Sequence, residues 1–200
     1  MHPHLTPALR HLAALAAALA CGLAGAEKAD RSRPIVLESD RPSTMDLQRQ
    51  VSVLQGNATI SQGTMVIRAD RIELRELASG FRAASAIGSA GRPASYRQKR
   101  DGVDEYVEGV ADRIEYDERA NTLRFIGNGA VRRLRGSTVA DEITGAQITW
   151  DATGEVFSVE GGAASAANPG GRVRAVLSPR AEPAASEPPA TLQPNRSLGR

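Results

Sequence analysis

Apolar residues recur at every second position in short runs between residues 35 and 177, with polar or glycine-containing breaks between them. Side chains of a strand point alternately to its two faces, so this spacing predicts a series of half-buried β-strands. Ile35 and Leu37 share a face of the first. After turns at 39–42 and 48–50, Val51 and Val53 share a face of the next. Gly56-Asn57 breaks the pattern at a point tolerant of positive φ, and strands over 58–61 and 64–68 flank Gln62-Gly63. Met65 and Ile67 sit at odd positions but Ile72 and Leu74 at even ones, so the phase slips near Ala69-Asp70, at a bulge or a corner. Residues 76–100 are the least patterned, with an edge strand expected over 92–98 because Pro93 lacks an N–H. Asp101-Gly102 marks a hairpin turn. A long strand follows over 106–116, interrupted at Gly109, with Ile114 and Tyr116 on one face. Leu123, Phe125, Val131, Ile143, Ile148, Trp150, Phe157 and Val159 carry the apolar face onward, and 172–177 forms a last, exposed strand. No window keeps a helical period with caps. The expected class is all-β: a sandwich, a roll or a β-helix.

The pattern is also repeated. Shifted by 71 residues without a gap, Gly56-Asn57 falls on Gly127-Asn128 and Ala69-Asp70-Arg71-Ile72 on Ala140-Asp141-Glu142-Ile143. A second match, offset by 34, aligns Ile114, Tyr116 and Asp117 with Ile148, Trp150 and Asp151. A unit too small to bury its own apolar face needs its neighbours, so the chain reads as stacked copies of one short-strand motif.

Composition narrows the chemistry. Residues 1–26 read as a secretory signal, with Arg10-His11, an apolar run over 12–20 and a small-residue end at Ala24-Gly25-Ala26. Cys21 follows a poor lipobox, so it reads as discarded with the signal rather than as a lipid anchor. Residues 179–200 read as a disordered tail rich in proline and alanine, which leaves one domain over 33–178. Beyond the signal, 24 Lys and Arg face 23 Asp and Glu, with few aromatics, so nucleic acid is not an expected partner. Cys21 is the only cysteine, and His2, His4 and His11 all fall in the signal. The remaining chain thus lacks the residues for disulfides, cysteine nucleophiles, His-dependent triads and most zinc sites. No cofactor or metal is expected.

The apolar set supports two readings, a packed sandwich core or a trough between sheets that accepts acyl chains; about 4% aromatics leans toward the trough. Asp70, Asp112 and Asp141 recur two residues before an isoleucine. They read as corner aspartates of the scaffold in preference to acid–base carboxylates. Arg132, Arg133 and Arg135 read as a solvated edge, or alternatively as a site for a phosphorylated sugar. The first and last strands look like free edges, able to pair head to tail with another copy.

The ordered motifs are Arg-Pro-Ile-Val-Leu-Glu-Ser-Asp at 33–40, Leu-Gln-Gly-Asn-Ala-Thr-Ile-Ser-Gln-Gly at 54–63 and Ile-Arg-Ala-Asp-Arg-Ile at 67–72. Arg-Pro-Ala-Ser-Tyr at 92–96, Val-Glu-Gly at 107–109 and Phe-Ile-Gly-Asn-Gly-Ala at 125–130 follow. Together they resemble the OstA-like family of periplasmic lipopolysaccharide transport proteins. The resemblance implies a twisted antiparallel β-jellyroll open at both ends, no enzymatic activity, and a periplasmic location. It implies lipopolysaccharide moving along an inner groove, acyl chains inside and sugars outside. It also implies a head-to-tail homo-oligomer bridging an inner-membrane partner with a homologous domain and an outer-membrane β-barrel translocon. By motif, Ile35 and Leu37 would line the groove's mouth, with Tyr96 and Tyr116 further in. Val53, Ile72, Leu74, Ile114, Leu123, Phe125, Ile143 and Trp150 complete the expected lipid-binding set. Two other readings stay open: a monomeric periplasmic lipid or glycan chaperone, and a hydrolase using carboxylates alone.

Overall fold

The computed structural model describes residues 30–163 and 170–179; the expected signal and nearly all of the expected tail lie outside them. Twelve strands form an antiparallel fold: β1 (Val36–Glu38), β2 (Arg41–Asp46), β3 (Val51–Gln62), β4 (Met65–Glu76), β5 (Arg82–Ile87) and β6 (Ala94–Lys99). They are followed by β7 (Glu105–Ala111), β8 (Arg113–Asp117), β9 (Thr122–Arg135), β10 (Thr138–Asp151), β11 (Val156–Glu160) and β12 (Arg174–Leu177).

Four strands are long, and each changes neighbours half-way. β3 pairs with β2 through its first half and with β1 through its second. β4 pairs with β6 and then β5, β9 with β8 and then β7, and β10 with β12 and then β11. The result is two layers that share four strands. One holds β1, β6, β7 and β12 with the adjoining halves of the long strands; the other holds β2, β5, β8 and β11. Opposite the corners lies a lip, where each hairpin turn joins strands of a single layer.

The corners explain the repeat. Gly56-Asn57 and Gly127-Asn128 do not end strands, as their turn-like sequence suggested; they are bulges inside β3 and β9. Three steps from Gln55 to Ala58 oppose two from Arg71 to Ala69, and three from Ile126 to Gly129 oppose two from Gln147 to Gly145. Both residues of each pair take positive φ: 71° and 43° at the first, 76° and 49° at the second. Glycine and asparagine tolerate that region best. In β4 the buried positions pass from Ala69 to Ile72, the phase slip read from the sequence, and the extra residue sits across the ladder in β3. Each corner is fastened by an Asx pair: Asn57 Nδ2 donates to Asp40 at 2.5 Å, and Asn128 Nδ2 to Asp112 at 2.9 Å. Asp70 accepts from Arg41 at 2.8 Å. Asp141, matched to Asp70 in the repeat, stands away from the corner. The β9–β10 arms are longer, so Gly145 takes the corner place and Asp141 pairs with Arg133.

Other local expectations change as well. β6 is no edge strand: β4 and β7 flank it, and Pro93 lies just before it, where no ladder donor is needed. The long strand divides at Asp112, not at Gly109. β5 lies in the region of weakest pattern, where Ala84 and Ala86 are buried beside Tyr116 and Ile114. β9, which carries the arginine cluster, is flanked by β7 and β10 and is not an edge.

The inner faces of the layers meet over a wedge of large side chains. Tyr96 makes edge contacts with Phe125 and Trp150, at centroid distances of 6.1 and 5.9 Å, and Trp150 stacks on Phe157 at 5.7 Å. Gly109 lets the wedge close, because a Cβ there would run into the Phe125 ring. We therefore expect Gly109→Ala to destabilise the fold by about 1–3 kcal/mol, the usual range for overpacking a filled core. A urea-unfolding midpoint that does not fall would refute this account of the wedge.

Candidate functional site

The wedge belongs to one apolar interior between the two layers, tightly packed at its centre and looser at its ends. Ile72, Ile114, Leu123 and Phe125 are at most 1% exposed, and Tyr96, Tyr116 and Trp150 are buried. Ile35, Leu37, Leu74 and Ile143 are half-buried and pack against this core. Leu37 faces inward beside Ile60 on β1, and Ile143 faces inward beside Val131 on β10. Eleven of the twelve expected lining residues thus belong to one apolar interior or its margins. Val53 does not: Leu54 is the buried residue, and Val53 lies on the opposite face, beside Glu73. Pairing Val51 with Val53 set the inner face one residue out of phase, and a one-residue error of that kind moves a side chain to the other face.

Polar clusters border this interior at the lip. Near β6, the buried Asp30 accepts from the Thr64 amide at 2.8 Å, the Thr64 hydroxyl at 2.5 Å and Gln98 Nε2 at 3.1 Å, and Tyr96 donates to Gln98. Gln62 Nε2 donates to the Arg31 and Arg33 carbonyls. These bonds tie the segment before β1 across the β3–β4 turn.

At the other end, a cavity of about 300 Å³ opens between the layers. Its floor is Val107, Val131, Ile143, Trp150 and Phe157, and its rim holds Arg100, Arg133, Asp141, Glu155 and Leu177. Arg133 Nε donates to Asp141 at 2.6 Å. Glu105 accepts from Arg135 at 2.9 Å, from Arg133 at 3.4 Å and from Arg100. Arg100 Nη2 reaches both Glu155 oxygens at 2.7 Å. Of this cluster only Arg133 and Arg135, with Asp141 as a scaffold residue, stood out in the sequence. The missed signal was parity. Glu105, Arg133 and Asp141 are each two residues from an apolar lining residue, Val107, Val131 and Ile143, and so share its face.

Burial pushes the Glu105 carboxyl up, but hydrogen bonds from Arg135 and Arg100 and the nearby Arg133 charge outweigh it, and its pKa falls. Arg75 and then Arg71 lower that of Glu73 on the outer face. Glu155 leads the interactions that raise Arg100. Among the described residues, no group of three or more His, Cys, Asp or Glu is placed to hold a metal ion.

A family model described as LptA/(LptD N-terminal domain) LPS transport protein matches residues 37–156. The chain belongs to this family. The match runs from Leu37 in β1 to Val156 at the start of β11, and so takes in both layers and all four long strands. The family is one of transport proteins, not enzymes. The chain is 30% identical over 115 residues to the lipopolysaccharide export system protein LptA of Escherichia coli K12, covering 58% of this chain and 60% of that protein. It therefore spans about 60% of that relative's length. It is 28% identical over 161 residues to the LptA of Haemophilus influenzae, covering 80% of this chain and 86% of that one. Among solved structures it is similar to LptH of Pseudomonas aeruginosa, described as an LptA-homologous periplasmic component of a lipopolysaccharide transport device. That match has a TM-score of 0.63 at 21% identity and covers 75% of this chain and 99% of the other. At that identity the likeness establishes the fold, the antiparallel jellyroll that the family resemblance implied.

The lowered glutamates set a pH dependence. Each binds a proton more weakly folded than unfolded, so its stabilisation is complete above the ordinary glutamate range near ~4.3 and is lost as the pH falls through the lowered folded value. We expect the urea midpoint to hold steady from neutral pH to about 5.5 and to drop below it. Glu105→Gln should lower the neutral midpoint and make the acid decline shallower; an unchanged decline would remove Glu105 from the account.

Proposed function

We propose that the protein carries lipopolysaccharide through the periplasm, with acyl chains in the seam between the layers and sugars outside the lip. What supports this most is one continuous apolar seam from Leu37 to Ile143 in a chain that belongs to an LPS transport family. Each buried CH₂ would contribute about 0.8 kcal/mol, so a single acyl chain brings enough free energy to compete with contacts between the layers. Entry would part the layers at the lip, where hairpin turns connect strands within a layer. The corners, where β3, β4, β9 and β10 run unbroken, would stay joined.

Transport over the width of a periplasm calls for copies in series. β1 and β2 bound one end of the fold and β11 and β12 the other, each paired to a single neighbour among the described residues. Val176 and Leu177 on β12 are 43% and 71% exposed, which favours covering by another strand over solvation. We take the partners to be further copies head to tail, a homologous domain of an inner-membrane component, and an outer-membrane β-barrel translocon.

A photo-crosslinker at Leu37 or Ile143 should capture lipopolysaccharide in cells, and one at Val53, on the outer face, should not. Capture at Val53 alone, or at none of the three while a control transporter is labelled, counts against the groove. Light scattering should show mass rising with concentration, and Val176→Lys with Leu177→Lys should suppress the rise. A strict monomer at every concentration would favour the chaperone reading.

A further inference from the structure

We propose that Arg100, with Arg133 beside it, forms a phosphate-binding clamp at the groove mouth, and that Glu155 is its internal occupant, latching the layers until an anionic amphiphile displaces it. This deepens the transport reading and rests on it. The ligand class is a phosphomonoester head on an acyl chain.

Three observations carry the inference. Arg100 follows β6 in one layer and Glu155 precedes β11 in the other, so their bond crosses the lip. It is also a full one: Nη2 lies 2.7 Å from both carboxylate oxygens and Nε 3.3 Å from one. Second, both residues sit on the rim of the cavity whose floor is Ile143, Trp150 and Phe157. A head group held by Arg100 would therefore place its chain against apolar surface already open. Third, the carboxylates around Arg100 are held unequally. Glu105 is shared by three arginines and its side chain is 14% exposed, whereas Glu155 has Arg100 as its ion-pair partner and is 54% exposed. Glu155 is thus the more solvated and less restrained of the two carboxylates on Arg100, and the more readily exchanged. A phosphate brings more charge and a third acceptor oxygen to the same guanidinium fork, so it is the stronger occupant. With Arg100 and Arg133 beside Asp141 and Glu155 at the rim, and Glu105 bridging both arginines, exchanging Glu155 for a ligand anion keeps Arg100 partnered while it frees the turn before β11.

Trp150 is the single tryptophan and lines the cavity, so its emission reports occupancy directly. The probes are dodecyl phosphate, the uncharged dodecyl maltoside and inorganic phosphate, titrated below micelle-forming concentrations. Arg100→Gln should weaken dodecyl phosphate about tenfold and change dodecyl maltoside less than about twofold, the usual scale for losing a charge-assisted bond. Glu155→Gln, at an exposed turn, should tighten dodecyl phosphate about threefold and favour it over dodecyl maltoside. Equal effects on both dodecyl probes, or no effect of either variant, would overturn the clamp and leave the groove reading standing. Silence of Trp150 toward both dodecyl probes would overturn the groove itself. Inorganic phosphate binding as tightly as dodecyl phosphate would make this a free-anion site and defeat the amphiphile assignment.

Discussion

A strand that serves two layers must turn a corner without losing track of which side is inside. Alternation survives a bend, but two paired strands that bend together can need one residue more on one of them than on the other. Here the requirement is met by one extra residue. Gly56-Asn57 and Gly127-Asn128 each insert a residue opposite an unbroken partner strand and turn in the left-handed region. β3 keeps its parity through the corner, with Leu54 and Ala58 both facing in, while the buried positions of β4 change parity from Ala69 to Ile72. The Asn57 and Asn128 side chains donate to Asp40 and Asp112, whose own backbone amides donate to the Gly56 and Gly127 carbonyls, and together these bonds fix each corner. Every other feature follows from two layers joined along one line and free along the other.

That asymmetry leaves the two margins of the interior held differently. Along the corners four strands cross continuously, so separation there means breaking ladders. Along the lip the layers meet through side chains. Large aromatics from both layers fill the centre, while Ile35, Leu37 and Ile143 at the ends keep partial exposure. The charges also sit where this predicts. Arg133, Asp141 and Glu105 point inward yet stay close to the lip, where water can reach them and the desolvation cost of an inward charge is smallest.

How much of this the sequence shows depends on residue type. β-branched and aromatic residues carry the period-two signal, so the strands around Ile67, Ile114, Phe125 and Trp150 are legible. β5 is written in alanine, whose small apolar surface carries little of that signal even though Ala84 and Ala86 are buried; they fit there because Tyr116 and Ile114 lie beside them. The repeat was legible in its most constrained residues, the Gly-Asn pairs. It misled at Asp141, because a longer hairpin shifts the register of β10 against the sequence match. Val53 failed for a related reason: alternation gives two faces but does not say which is inside until a neighbour such as Leu54 is weighed.

The charged rim asks for a different kind of reading. Counted along the chain, Arg132, Arg133 and Arg135 look like one basic patch. Parity divides them: Arg132 points outward to Glu142, while Arg133 turns in toward Asp141 and Glu105. A cluster that is basic in one dimension is neutral in three, since each arginine meets a carboxylate from a neighbouring strand. Neutrality does not make the rim inert. Carboxylates that merely balance charge could sit anywhere nearby, but Glu155 is held against Arg100 from the opposite layer, across the one line where the fold has no continuous backbone. An ion pair at that place joins the two sheets through side chains alone, where no ladder of backbone bonds shares the task.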